Sequence, residues 1–285
     1  MNVPPLVFIV ILNYNARATI FDCLKSVLGL EAARFEVLVV DNFSTDGSFD
    51  ELSKRFPKIH TLQNGENGGF ARGVNSGIRA ALQKGADFIW LLNPDTLVQK
   101  DALFRLLEFA TKYPDVGLVS PLLLSPETNT VWFGGGTYQF IRQRVVHTPP
   151  TRKRGAYETD FISGCAPLIH KEVFRKIGLF DETFFLYYED ADFSLRAKKA
   201  GFRLIVLPEA LVFHSEASTT RPEKLFFLVR SGLFFFWKHT PLFLRPLFWL
   251  IIFSSLRPSF FPERTFSQES REGRFPKTRL PRISL

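Results

Sequence analysis

The sequence predicts an α/β fold, a mostly parallel sheet with helices on both faces, followed by a helical, aromatic-rich C-terminal appendage. Three observations predict it. Short apolar, β-branched runs alternate with helix-period segments, polar residues punctuate the ends of successive runs, and Phe and Trp become dense beyond Arg221. Strands separated by single helices need right-handed crossovers, and these build parallel sheets covered on both faces.

Taken in order, residues 7–12 read as the first strand. The apolar stretch 6–12 has no positive charge before it and no small-residue cleavage site after it, and Asn13 and Asn15 end it, so a buried strand is expected rather than a signal peptide. A helix at 20–28, a strand at 36–40 and a helix at 49–56 follow. The alternation continues with a strand at 59–62, a helix at 70–83, a strand at 88–92, a helix at 101–113 and a strand at 116–119. From 131 to 154 it loosens around Gly134-Gly135-Gly136, which reads as a hairpin or mobile loop. A helix at 191–200 and strands near 203–207 and 211–213 complete the pattern. No internal repeat is present.

Composition bounds the function. At 285 residues, 46% hydrophobic and 22% charged, the chain supports one large domain plus a short appendage. Cys23 and Cys165 are too isolated for a disulfide framework or a zinc site and read as buried thiols in a reducing, cytoplasmic compartment. The apolar stretches 225–237 and 242–256 are interrupted by Arg230, Arg245 and Pro246, short of the roughly 20 clean residues of a spanning helix. Net charge is +8, and residues 257–285 hold seven basic against three acidic side chains. That distribution suits an anionic membrane surface or phosphate-bearing substrates. Nucleic acid is not expected, since no binding motif accompanies the charge. Residues 262–285 read as a disordered basic tail.

Ligands on parallel sheets bind beyond the carboxyl ends of the strands. Asn13-Tyr14-Asn15, Asp41-Asn42 and Asn93-Pro94-Asp95 each follow a strand and are expected on that edge. Asp41 reads either as an acceptor for a base or ribose or as a solvated turn. Asp46 and Ser48 read as caps of the next helix. Gly68-Gly69 stands where a strand gives way to a helix, letting backbone amides approach a phosphate. Asn93 and Asp95 offer oxygen ligands suited to Mg²⁺ or Mn²⁺ on a diphosphate, or else a proline-stiffened helix cap. In the segment 184–192, Glu189, Asp190 and Asp192 open a helix directly after an aromatic run. Helix-dipole complementarity explains the acids. The crowding aromatics do not follow from it, and desolvation by them raises carboxylate basicity.

Together these segments resemble the family-2 inverting glycosyltransferases of the GT-A fold, especially the rhamnosyltransferase-like branch of bacterial cell-surface glycan assembly. The likeness runs over about residues 6–240, through Asn13-Tyr14-Asn15, Val40-Asp41-Asn42 with Ser44 and Asp46-Gly47-Ser48, Asn67-Gly68-Gly69-Phe70 to Asn75, Leu92-Asn93-Pro94-Asp95, Ser163-Gly164-Cys165, Gly178 with Phe180-Asp181-Glu182, Tyr187 to Phe193, and His214. It implies a catalytic domain over 1–220, with a nucleotide-sugar half at about 1–120 and an acceptor half at about 121–220. A packing or membrane-peripheral segment would occupy 221–261. Asp190 is implied as catalytic base, with Glu189 shaping the acceptor site. Asp95 and His214 are implied as ligands of a divalent metal. Asp41 is implied at the nucleobase, and Asn13, Asn15, Asn42, Asp46, Gly69, Asn75 and Asn93 around the donor. Asn93 stands where many members carry an acid.

The expected function is inverting transfer of a sugar, L-rhamnose from dTDP-L-rhamnose, to a glycan or lipid-linked glycan acceptor at the cytoplasmic face of the cell membrane. A UDP- or GDP-sugar hexosyltransferase is the alternative. A sugar nucleotidyltransferase should carry a Gly-rich basic loop in the first strand-helix turn, where Asn13-Tyr14-Asn15-Ala16-Arg17 stands instead. A non-catalytic nucleotide-sugar-binding protein would have no need of Asp95, Asp190 and His214 together.

Overall fold

The computed structural model describes residues 3–31, 34–152, 154–215, 222–242 and 245. The first β-branched run forms β1 (Val7–Asn13), buried throughout. Then come α1 (Ile20–Leu28), β2 (Phe35–Asp41), α2 (Ser48–Arg55), β3 (His60–Gln63), α3 (Gly69–Gln83) and β4 (Phe88–Leu92). A short β5 (Thr96–Val98) precedes α4 (Ala102–Lys112) and β6 (Val116–Leu124). The loosened region yields β7 (Val131–Phe133), the hairpin β8 (Gly136–Gln139) and β9 (Arg144–His147), and β10 (Tyr157–Glu158). The remaining elements are β11 (Leu168–His170), α5 (Lys171–Ile177), α6 (Glu189–Lys199), β12 (Arg203–His214) and α7 (Pro222–His239).

The main sheet runs β10-β12-β6-β11-β4-β1-β2-β3, with β5 on β12 and β7 on β6. β1 lies parallel to β2 and β4, β2 to β3, and β6 to β12. β11 is inserted antiparallel between β4 and β6, so β4 and β6 point the same way. The carboxyl ends of β1, β2, β4, β6 and β12 therefore share one edge. Asn13 is level with Asp41 in the register.

Alternation along the strands divides the apolar residues between two layers. Phe8, Val10 and Leu12 join Ala71, Val74 and Ile78 of α3 and Phe174 and Phe193 of α5 and α6 in one core. Ile9 and Ile11, on the other face, are equally buried, as are Ile20 and Leu24 of α1. A Cβ on Gly77 would stand 2.5 Å from Val10 and 2.7 Å from Val40, so glycine lets α3 lie close on the sheet.

The structure departs from the sequence reading in three places. The two strands near 203–207 and 211–213 are one strand, β12, whose register shifts between Leu207 and Leu211. Pro208, lacking an N–H, accounts for the interruption. β5, β11 and α5 were not expected; three-residue strands carry too little periodicity to be read. The helix expected at 191–200 begins two residues earlier, so all three acids lie in its first turn.

Residues 1–240 form one compact unit and 241–285 another. α7 belongs to the first and packs one face on the segment leading into α6. Phe227 stacks on Phe185 with ring centres 4.6 Å apart, Phe234 meets Phe184 at 5.0 Å, and the Ser231 hydroxyl donates to the Leu186 carbonyl at 2.8 Å. Leu225, Phe226, Leu228, Val229 and Leu233 remain exposed. Among the described residues no helix is long and apolar enough to cross a membrane. Phe248, Trp249, Phe253, Arg257 and the tail at 262–285 lie outside the described residues.

At its C-terminal end α7 is fastened by charge. Asp192, fully buried, meets Arg196 at 2.7 Å, Lys238 at 2.6 Å and His239 at 2.7 Å. Burial pushes its pKa up, but hydrogen bonds from His239 and Lys238 and the Arg196 charge overcome this and hold it at about 2. Its stabilisation is therefore present above the ordinary aspartate pKa of about 4 and lost as pH falls toward 2. Asp192→Asn strands buried cations and should cost about 3 kcal/mol at neutral pH, with the deficit shrinking in acid. Thermal unfolding across pH checks this; a loss unchanged from pH 7 to pH 3 would assign the effect to packing.

Candidate active site

The edge at the strand ends carries two groups of functional side chains. In the first, β5 pairs with the end of β12, setting Thr96 opposite His214. The Ser215 amide donates to the Asp95 carbonyl at 3.0 Å, closing the corner. His214 Nε2 and Asp95 Oδ1 lie 3.3 Å apart. Yet Oδ1, and Nδ1 of the same histidine, are buried without a hydrogen-bond partner among the described residues. The Asn93 amide nitrogen lies 3.4 Å from Nε2.

Orphaned buried polar atoms are costly, and a cation bound by Asp95 Oδ1 beside His214 Nε2 would satisfy the orphaned carboxylate oxygen. Among the described residues no group of three or more His, Cys, Asp or Glu could hold a metal. Mg²⁺ and Mn²⁺ suit such a sparse set, since hard cations of this size are commonly held by one or two protein ligands plus water and phosphate oxygens.

The second group lies at the start of α6. Tyr187 and Tyr188 precede it with φ of 67° and 66°, conformations costly for residues other than glycine. Asp190 Oδ2 accepts from the Gly164 amide at 2.9 Å and Oδ1 from the Ala191 amide at 2.8 Å. Desolvation raises its pKa, and these hydrogen bonds and the charge of His147 pull part of the rise back. Glu189 is 5% exposed with an orphaned Oε2, and burial, then repulsion from Asp190, lifts its pKa well above the usual range. Glu189 keeps its proton more readily, leaving Asp190 the available carboxylate. Asp192, held by Arg196, Lys238 and His239, is not free to act as a base.

One loop joins the groups. The Gly164 amide holds Asp190, and the neighbouring Cys165 carbonyl accepts from the Asn93 amide at 2.9 Å.

The expected donor residues divide. Asn13 is buried and its amide donates to Asp41 at 2.7 Å and Ser48 at 2.8 Å. Asp41, also buried, accepts from the Ser44 amide and from Gln63 as well, so its oxygens are turned into the protein rather than toward an open face. Asp46 accepts from the Ser48 and Arg17 amides and shapes the turn, but it does not cap α2, whose N-cap is Gly47 and which has no side-chain cap; Ser48 is the first residue of that helix. Asn75 brackets Phe180 with two hydrogen bonds, deep in the fold. Gly69 has φ of 77°, and a Cβ there would lie 2.2 Å from the Phe185 carbonyl oxygen, which accepts from the Phe70 amide at 2.7 Å. The expected approach to a phosphate is replaced by this internal contact, and the Gly69 amide goes to Asn67. Asn15 is exposed, and Asn42 lines an open cavity of about 230 Å³ with Asn64, Arg72 and Arg79. Asp46 and Asn93 are half-buried, and Asn42 is itself buried at the edge of that cavity.

The profile described as "Glycosyl transferase family 2" matches residues 8–178. The chain belongs to that family. It is a glycosyltransferase, and its relatives agree. An N-acetylglucosaminyl-diphospho-decaprenol L-rhamnosyltransferase of Mycobacterium tuberculosis is 28% identical over 214 residues, 65% of this chain and 67% of that one. A dTDP-rhamnosyl transferase, RfbF, of Shigella flexneri is 23% identical over 73% of this chain and 69% of its own. The low-salt glycan biosynthesis hexosyltransferase Agl10 of Haloferax volcanii is 28% identical over 69% of this chain and 62% of its own. Among solved structures, GalNAc-T7 with UDP, GalNAc and Mn²⁺ superposes with a TM-score of 0.64 at 18% identity, over 76% of this chain and 45% of that one. The mannosyltransferase PcManGT of Pyrobaculum calidifontis, with GDP-Man and Mn²⁺, gives 0.61 at 18% identity over 88% and 70%. The glycosyltransferase has the GT-A fold.

Two residues that act on Asp190 were not singled out from the sequence. Gly164 stood within a quoted motif without a role, and its amide is a backbone function that residue identity does not reveal. His147 lay in the loosened segment, where the run of aromatics was the only signal.

A buried acid that resists ionisation gives a testable sign. Because the folded-state pKa of Glu189 is raised, its contribution to stability is present below the ordinary glutamate pKa and lost as pH rises through the raised value. Glu189→Gln removes the ionisation, so its melting temperature relative to the parent chain should climb from pH 5 to pH 8. A constant offset across that range would mean the carboxyl makes a contact that the amide cannot.

Proposed function

We propose that this glycosyltransferase is metal-dependent and inverting, with Asp190 as the general base. The carrying observation is the single loop that holds Asp190 at Gly164 and the Asp95–His214 corner, through Asn93, at Cys165. An acceptor hydroxyl at Asp190 loses its proton to the carboxylate as its oxygen attacks the anomeric carbon, the bond to the nucleoside diphosphate breaks, and the configuration inverts. A divalent Mg²⁺ or Mn²⁺ held by Asp95 and His214, beside Asn93, would neutralise the charge of the departing diphosphate. Asn15 and Asn42 face the donor, and Asn13, Asp41, Asp46, Gly69 and Asn75 support that side from behind. Residues 1–120 serve the donor and 121–220 the acceptor.

The donor we favour is dTDP-L-rhamnose, supported by two relatives named for rhamnosyl transfer. The acceptor we favour is a lipid-linked glycan, as the name of the mycobacterial relative describes for that protein. The exposed apolar side chains of α7 and the net charge of +8 support peripheral attachment to an anionic cytoplasmic leaflet.

Asp190→Asn should keep the fold and donor binding while lowering turnover at least about 10²-fold, and the acid limb of kcat/KM should fall above the ordinary aspartate pKa. EDTA should stop transfer, with Mn²⁺ or Mg²⁺ restoring it. Near-normal transfer by the variant would remove Asp190 from the mechanism, and full activity in chelator would remove the metal.

The membrane reading is checked by sedimentation with vesicles containing phosphatidylglycerol. Phe226→Asp with Val229→Asp should leave the protein in the supernatant at low salt while the parent chain pellets. Equal behaviour of the two would dissociate α7 from membrane binding.

A further inference from the structure

The in-line displacement proposed above needs the leaving diphosphate, the anomeric carbon and the attacking oxygen aligned, so the transferred sugar occupies the space between the Asp95–His214 corner and Asp190. One aromatic ring bridges the two groups that bound that space. Trp132, half-buried on β7, meets His214 edge-on with ring centres 4.4 Å apart and an interplanar angle of 69°. It also meets His147 of the hairpin at 5.3 Å and 73°.

The hairpin is itself seated beside the base. Tyr138 of β8 donates to the carbonyl of Ala191, the residue after Asp190, at 2.8 Å, and His147 is paired with Gly136 two residues from that tyrosine. His147 is braced edge-on by Phe133 at 5.0 Å, and Phe161, 5.9 Å away, leads into the loop that binds Asp190. Its charge favours the Asp190 carboxylate. Trp132 thus touches both a proposed ligand of the metal and a neighbour of the proposed base.

We propose that Trp132 is the platform for the transferred sugar, its indole face receiving the apolar C–H face of a pyranose carried by a nucleoside diphosphate. This assignment rests on the preceding functional reading. A flat apolar ring is a chemically suitable partner for a pyranose, whose axial C–H groups make one face apolar while its hydroxyls point outward. The residue acts on the sugar and leaves the nucleotide alone, which makes the two roles separable.

The experiment is calorimetry on the full-length chain with Mn²⁺, comparing dTDP with dTDP-L-rhamnose, UDP with UDP-N-acetylglucosamine and GDP with GDP-mannose. The pair in which the sugar adds most affinity to the parent chain is then measured in Trp132→Ala and Trp132→Phe. Trp132→Ala should remove about tenfold of the affinity for the nucleotide sugar while leaving the bare nucleoside diphosphate within about twofold, and Trp132→Phe should recover most of the loss. Equal weakening of both ligands would mean that Trp132 works by holding His214, and overturns the platform. So would an unchanged nucleotide sugar affinity, or a parent chain to which no sugar adds affinity. A parent chain that binds none of the nucleoside diphosphates overturns the functional reading first, and this inference with it.

Discussion

The rest of the site depends on one short loop. Gly164 gives its amide to the Asp190 carboxylate and Cys165 gives its carbonyl to the Asn93 amide, so adjacent residues tether Asp190 and the Asp95–His214 corner. The loop can do this because β11 enters the sheet between β4 and β6 in the opposite sense, delivering its leading segment to the edge where the parallel strands end. Pro167 and Ala166 fix it further, accepting from the Leu91 amide and the Trp90 indole at 3.1 and 3.0 Å. A base and a leaving-group site on separate flexible segments could drift apart by an ångström; here backbone hydrogen bonds hold both.

The polar edge is organised in depth. Asn13, Asp41 and Ser48 form a buried network in which the Asn13 amide donates to both partners while its Oδ1 stays unpaired among the described residues, and Asn15 stands exposed beyond it. Buried polar groups of this kind are expensive unless paired, and paired they rigidify. The acids of α6 divide in the same way. Asp192 is paired with Arg196, Lys238 and His239, Glu189 is driven toward its protonated form, and Asp190 is left with two backbone donors. Three carboxyls within four residues thereby acquire three different uses, each set by what surrounds it.

Much of this was legible in the sequence. The alternation of apolar runs with helix-period segments marked β1 to β4 and α1 to α4, because long periodic elements carry their burial pattern openly. The convergence of Asn93, Asp95 and His214 followed from the order of motifs. What stayed hidden was of two kinds. β5 and β11 are three residues each, so their pairing partners, not their own pattern, define them. Gly69 read as an approach to a phosphate because consecutive glycines open a helix, and Asn75 was implied at the donor only by the family resemblance, but one side chain brackets Phe180 and the other position lies against the Phe185 carbonyl. Sequence shows that a backbone must come close to something; it does not show to what.

The tethers that make the site also span long stretches of chain. Asn93 meets His214 across 121 residues, Asn75 meets Phe180 across 105, and Asp192 waits 47 residues for His239. Contacts of high sequence separation form late, after loop-closure entropy has been overcome. On a ribosome β1 to β4 emerge and can pair first, while the latch that holds the start of α6 is missing until α7 has left the exit tunnel. Synthesis thus runs from the strand ends that carry Asn13 and Asp41 toward Asp190, whose surroundings are the last among the described elements to close.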